Sequence, residues 1–296
     1  MSKNLLMQGD CLKRMQELPD NSVDMVLCDL PYGTTGNPWD SVIPLEELWA
    51  EYRRVAKPNA AIVLTAHHKF TAQLMCSNMS EFRYKMVWLK SRSTGFLNAR
   101  YAPLRAHEDI LVFYRKKPTY NPVNWYSRPY ISRKSSAERS SPNYNNKNKG
   151  YISRSSGERK PTDVIYCTDN GDERFHATQK PISLGRYLIR LYTNKGDVVL
   201  DNCFGSGSFL VAAELEDRRF IGIEKNENVI NSRGEIVDCF DVLQRRLEHI
   251  REQKKNKSVP DLFQSLHPAA SFLCSEQKKQ TKKKQDKIST EGGRGN

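Results

Sequence analysis

The apolar positions of this chain fall into short, nearly unbroken runs, most of them leading into an acidic residue. Val23–Cys28 (apolar but for Asp24), Ala60–Thr65, Val198–Leu200 and Phe220–Ile223 are of this kind. Runs of this length predict strands buried on both faces. Between them the period changes to that of a helix. Leu45, Leu48, Trp49, Tyr52 and Val55 share one face of a helix expected over 44–57, which Pro58-Asn59 stops. Leu184, Leu188, Ile189 and Tyr192 form the buried face of another, opened by His176–Pro181, with Pro181 suited to the first helical position. Further strands are expected at 5–8, 83–89 and 109–114, and further helices at 11–18, 69–78, 209–216 and about 226–254, where Gly234 interrupts the first turns. Strands alternating with helices predict an α/β fold on a largely parallel sheet.

Residues 115–165 break the pattern. Ser, Asn, Arg, Lys, Tyr and Pro dominate, and aliphatic residues nearly vanish. The expectation is a loop-rich insert over 116–165 within a body of 1–115 and 166–254, followed by a Lys-rich, disordered tail over 255–296. Leu262–Leu266, an apolar patch in that tail, is expected to dock on the body.

Charge sharpens the division. The chain of 296 residues carries a net +13. Arg115–Lys160 holds twelve basic and two acidic residues, and Arg251–Asn296 eleven and five, so the remainder is slightly acidic. Cations interleaved with Trp125 and several tyrosines suit phosphate contacts together with stacking on bases, and point to nucleic acid. The seven cysteines are scattered without a CxxC pair, as small core residues of a reducing compartment are, and no metal is expected. No apolar run is long enough to span a bilayer, and no signal-peptide core is evident, so a cytoplasmic place without membrane attachment is expected.

Candidate chemistry gathers at strand ends, where open α/β sheets bind ligands. The first buried run ends in Asp29-Leu30-Pro31-Tyr32-Gly33, which sets a carboxylate, a fixed backbone and an aromatic ring together. Another ends in Asp201-Asn202-Cys203-Phe204-Gly205-Ser206-Gly207, whose glycines let backbone N–H groups approach a ligand. Glu224, at the end of the following strand, stands where an acid can bind a ribose diol. GxGxxG is absent, which disfavours NAD, and Asp201 suits a cationic cofactor.

These two segments with His176-Ala177-Thr178-Gln179-Lys180-Pro181 between them, in that order, resemble the amino-methylating DNA methyltransferases of the beta arrangement. In that family the catalytic motif comes first, the target-recognition segment next and the cofactor motif last. The resemblance covers about residues 4–250. It implies a Rossmann-like methyltransferase with a mostly parallel twisted sheet, helices on both faces and a loop-rich insert. It also implies S-adenosylmethionine as cofactor and double-stranded DNA as substrate. A second copy of the chain and a cognate restriction enzyme are the further partners it allows.

Carried over by position, the resemblance gives Asp29 and the Pro31 carbonyl the two protons of the target amine, and Tyr32 the flipped base. An aryl amine is a poor nucleophile because its lone pair is delocalised; two acceptors on its hydrogens free that pair for attack on a sulfonium methyl. Asp201, Phe204, Gly205 and Gly207 would line the cofactor and Glu224 would hold its ribose. Asp10 would lie near the adenine, and Thr178 and Lys180 at the methionine end. Two departures stand out: Leu30 and Asn202 each replace a proline usual in the family. The leading Asp favours N6 of adenine over N4 of cytosine, where Ser is commoner. The rival readings are N4-cytosine methylation and, from another class, a non-catalytic DNA-binding protein.

Overall fold

The computed structural model describes residues 4–34, 40–126, 128–134, 151–167, 179–226, 236–256 and 266–268. In chain order the first elements are β1 (Leu5–Gln8), α1 (Cys11–Met15), β2 (Val23–Cys28), α2 (Leu45–Val55), β3 (Ala56–Ala66) and α3 (His68–Ser77). A long hairpin, β4 (Phe82–Thr94) and β5 (Arg105–Phe113), follows. After four short strands, β6 (Trp125–Tyr126), β7 (Tyr130–Lys134), β8 (Tyr151–Ser155) and β9 (Glu158–Arg159), the chain runs through β10 (Val164–Cys167) and α4 (Ile182–Tyr192). Then come β11 (Val198–Asp201), α5 (Ser208–Leu215), β12 (Arg219–Glu224), α6 (Cys239–Lys255) and β13 (Leu266–Pro268).

Among the described residues, nine strands form one sheet in the order β1-β12-β11-β2-β3-β5-β4-β10-β13. The run from β1 to β3 is parallel throughout, and β5 enters antiparallel to both β3 and β4. Successive residues of the central strands face opposite sides, and both sets are buried. Val26, Cys28, Ile62, Leu64, Ile221 and Ile223 join the core beneath α1, α2 and α3. Gly222 on the other face meets Leu210 of α5. Double coverage is why the strands read as continuous apolar runs rather than alternating ones. The chain leaves β2 toward β3 but leaves β11 toward β12, in opposite directions along the sheet. The crevice between these two neighbours is the switch point at which open α/β sheets bind ligands.

The residues divide into two compact units, Met1–Asn121 with Asp163–Asn296 as the body and Pro122–Thr162 as the second. The second unit lies within the segment expected to be a loop-rich insert. Its described residues form two antiparallel ribbons, β6 with β9 and β7 with β8. The Arg159 guanidinium lies 4.8 Å from the centre of the Tyr130 ring, and Asn124 donates to Glu158. In the body, the points flanking this unit are hydrogen-bonded: Asn121 N to Leu191 O at 2.8 Å, and Val87 N to Asp163 O at 2.7 Å.

Several boundaries differ from expectation for local reasons. The last helix begins at Cys239 rather than near 226, because Asp238 caps it by accepting from Phe240 N and Asp241 N. Pro181 is the N-cap of α4, with an extended ψ of 135°, rather than its first helical residue. The strand β10, Val-Ile-Tyr-Cys, straddles the boundary expected at 165; it pairs with β4 and receives Leu266–Pro268 on its other edge. Residues 261–265, most of the apolar patch, and those after 268 lie outside the described residues. Among the described residues no helix is long and apolar enough to cross a membrane.

The helices α4 and α5 approach so closely that a Cβ on Gly185 would stand 2.8 Å from Ala212 Cβ and 2.9 Å from Phe209 Cδ1. In Gly185→Ala the helical preference for Ala, about 1 kcal/mol, opposes overpacking of about 1–3 kcal/mol. A lowered urea midpoint is expected. A midpoint unchanged or raised would show that the two helices can part without cost.

Candidate active site

Parallel strands end at one edge, so Gly9-Asp10 after β1, Asp29 after β2, Thr65 near the end of β3, Asp201 in β11 and Glu224 in β12 come together. All of these but Thr65 border a cavity of about 750 Å³, which Asp10, Asp29, Pro31, Tyr32, Lys180, Asp201, Phe204, Gly205 and Glu224 line. Of the residues named from sequence, Gly207 sits just behind as the N-cap of α5, and Thr178 lies outside the described residues.

At one end of the cavity Asp29 is held on both oxygens. Tyr32 Oη donates to Oδ1 at 2.6 Å, and Thr65 Oγ1 donates to the same oxygen. Lys180 Nζ donates to Oδ2 at 2.5 Å. A carboxylate offers about four lone-pair sites, so three donors leave room for one more. Tyr32 lies edge-on to His67 at 4.7 Å and tilted against Phe70 at 5.1 Å, with Lys180 Nζ 5.6 Å from its ring centre. Burial, then the negative charge of Asp29, raises the Tyr32 phenol well above its usual value, so it stays a neutral donor. The turn after Tyr32 is tied back by Asp40, which accepts from Gly33 N at 2.8 Å and Thr34 N at 2.9 Å.

Lys180, expected at the methionine end of the cofactor, is paired with carboxylates. It reaches across 151 residues of sequence to Asp29 and also lies 3.3 Å from Glu108 Oε2. Glu108 is buried and pairs through its other oxygen with Lys90. Burial opposes charge on Lys180, but Asp29 and Glu108 together outweigh it and hold the ammonium above its usual range. Burial likewise opposes charge on Glu108, and Lys180 and Lys90 nonetheless keep its carboxyl below its usual range. At 3.3 Å the contact of Glu108 Oε2 with Lys180 is an ion pair rather than an aligned hydrogen bond. Thr65, Glu108 and Lys90 were not legible as site residues. Glu108-Asp109 at the entry of an apolar strand is the one signal that could have found them.

At the other end the Gly-rich loop turns tightly, with φ of +50° at Gly205 and +76° at Gly207. A Cβ at Gly207 would stand 2.5 Å from Leu243 Cδ1 of α6, so close packing requires glycine there as well. Glu224 accepts from Gly205 N at 2.7 Å and from Asn226 N at 3.1 Å, which fixes its carboxylate at the loop and leaves lone pairs toward the cavity. Phe204 packs edge-on against Phe240 at 5.1 Å. Asp10 caps α1 by accepting from Leu12 N and Lys13 N, and borders the cavity. Burial pushes the Asp201 carboxyl up to about 8; hydrogen bonds from Cys28 and Cys203 oppose this, and the charges of Asp29 and Glu224 reinforce it.

Both departures from the resembled family are accommodated. Leu30 is 3% exposed and packs in the core beneath α1–α3. Asn202 is buried, and its Oδ1 accepts from Tyr52 Oη of α2 at 2.6 Å.

A doubly covered, mostly parallel sheet with carboxylates converging at its switch point defines a Rossmann-like methyltransferase. Residues 23–234 match the family model described as DNA methylase, and the chain belongs to that N6/N4 DNA methylase family. Among its relatives, the type II methyltransferase M.HpaI of Haemophilus parainfluenzae is 28% identical over 262 residues, covering 82% of this chain and 78% of that one. M.HindIII of Haemophilus influenzae is 23% identical over 291 residues, covering 75% and 91%. The solved structure of M1.HpyAVI with SAM shares the fold at a TM-score of 0.51 and 21% identity, covering 82% and 98%. The cytosine-N4-specific PvuII DNA methyltransferase does so at 0.53 and 14%, covering 83% and 96%.

The chain is thus a DNA methyltransferase, and its cofactor is S-adenosylmethionine. The residues present fit that group. Asp201 is a buried carboxyl that burial keeps protonated until a cation arrives, and Glu224 is a fixed acceptor beside a glycine cradle. Below pH 8 the free protein carries a proton on Asp201, whereas pairing with a cation requires the anion. Adding S-adenosylmethionine at pH 7 should therefore release a proton, and affinity should rise with pH up to about 8. Titration calorimetry in buffers of different ionisation enthalpy measures this release. It should be lost in Asp201→Asn; equal release in that variant would remove Asp201 from the role.

Proposed function

We propose that this chain is a site-specific DNA methyltransferase acting on N6 of adenine in duplex DNA, with the target base turned out of the stack. The observation that carries the reading is Asp29 at the head of Asp-Leu-Pro-Tyr, in one cavity with Asp201 and Glu224. The cofactor supplies an electrophilic methyl group on a sulfonium. The chain's own part is positioning and electrostatics. Asp29 accepts one proton of the amine at its remaining site and the Pro31 carbonyl accepts the other, which turns the lone pair out of conjugation. Tyr32, braced by His67 and Phe70, offers its face to the base. Turning a base out costs a few kcal/mol, and stacking returns about 1–3 kcal/mol. Lys180 donates to Oδ2 and so fixes the orientation in which Asp29 presents its remaining lone pair.

Mapping modified bases in DNA from cells expressing the chain tests the reading and yields the recognised sequence. N6-methyladenine at one short sequence is expected from the native chain, and none from Asp29→Ala, which should still bind S-adenosylmethionine. N4-methylcytosine instead would correct the base; methylation retained in the variant would overturn the role of Asp29.

Target recognition falls to the second unit. A two-stranded ribbon is an element that a major groove admits; Arg133 and Arg154 lie on the β7–β8 ribbon, and Arg128 just before it. Replacing the three by Gln should flatten the dependence of log Kd on log salt by about 0.9 for each phosphate no longer neutralised. An unchanged slope would place the phosphate-binding cations elsewhere.

A further inference from the structure

The hairpin of β4 and β5 ends in a tip that the chemistry described so far does not use. Three of its large apolar side chains stand almost fully in water: Phe96 is 75% exposed, Leu97 81% and Tyr101 88%, with Leu104 at 47%. Single exposed apolar residues are common, but several within ten residues mark a surface made to be covered. The tip is also pre-formed. Asn98 N bonds to Gly95 O at 3.0 Å and Ala99 N to Phe96 O at 3.1 Å, while Tyr101 N and Ala102 N both bond to Asn98 O at 2.9 Å. Gly95, at φ +87°, makes the turn into it.

Charge and position identify what would cover it. From Ser91 to Arg105 there are three arginines (92, 100 and 105) and no acid, so the partner is a polyanion. The base of the hairpin, Ser91–Thr94 with Arg105, lines the same cavity as Asp29 and Tyr32. The apolar tip thus stands at the rim of the place where a target base would arrive. We propose that this tip is a wedge for duplex DNA: Phe96, Leu97 and Tyr101 enter the stack beside the target and fill the space it vacates, while the arginines hold the flanking phosphates. Apolar wedges of this kind work by replacing base stacking with side-chain contact. The inference rests on the reading of the chain as a duplex-DNA methyltransferase.

The test is a variant with Phe96→Ala, Leu97→Ala and Tyr101→Ala together, none of which is buried. Its substrates are a duplex of the mapped sequence, the same duplex with an abasic site opposite the target, and the target strand alone. Against the native chain, kcat/KM on the intact duplex should fall about tenfold or more, the equivalent of one stacking contact. The single strand and the abasic duplex, which need little or no unstacking, should be methylated at nearly native rates. Equal loss on all three substrates, or no loss on the duplex, overturns the wedge. So does a change in oligomeric state on sedimentation, which would make the tip a face between copies of the chain. Fluorescence of 2-aminopurine at the target position reads the wedge without methyl transfer, and the rise seen with the native chain should be absent from the variant. If the mapped base is cytosine rather than adenine, the functional reading is corrected while the same three substrates, built on that site, still judge the wedge.

Discussion

The parallel alignment of β1, β12, β11, β2 and β3 is the constraint on which the site depends. Because these strands point the same way, their C-terminal ends deliver Asp10, Asp29, Asp201 and Glu224 to one edge. Concentrating carboxylates in this way costs free energy, since like charges and burial both disfavour ionisation. The structure meets that cost by two different means. Asp201 gives up its charge, its carboxyl raised by burial. Asp29 is instead paired with Lys180, which lies 151 residues away in the sequence. Two carboxyls of one cavity thereby stand in different surroundings, one desolvated and one paired.

Much of this was readable in the chain because its causes are local. Apolar runs marked β2, β3, β11 and β12, and the spacing of Leu48, Trp49, Tyr52 and Val55 marked α2. The dipeptides and glycines at the strand ends marked the catalytic and cofactor loops. What escaped has non-local causes. Lys180 lies 151 residues from Asp29, and no spacing rule spans that distance. Thr65 was read only as the end of a strand, and it acts on Asp29 because β3 pairs beside β2. The strand β10, a run of only four apolar residues at the edge of the polar segment, takes its place in the sheet from pairing with β4. The premature start assigned to the last helix ignored Asp238, a local signal that was present all along.

The two departures from the resembled family show how a motif's chemistry survives a change in its letters. Losing a proline frees the backbone, and something must fix it again. At position 30 the replacement is a leucine sunk in the core, and at 202 an asparagine held by Tyr52. What the motif requires is a carboxylate, a carbonyl and a ring in register, and tertiary contacts can supply the rigidity that proline supplied locally.

The hydrogen bonds at Asn121 and Asp163 have a consequence of another kind. The chain departs from α4 and rejoins at β4 through backbone contacts that take no notice of what lies between. The entropy of closing such an excursion grows only slowly with its length. A segment tethered at two backbone anchors is therefore interchangeable: it can lengthen, shorten or be replaced at little thermodynamic cost to the catalytic body. Among related chains such a segment can diverge quickly while the body that carries it stays unchanged.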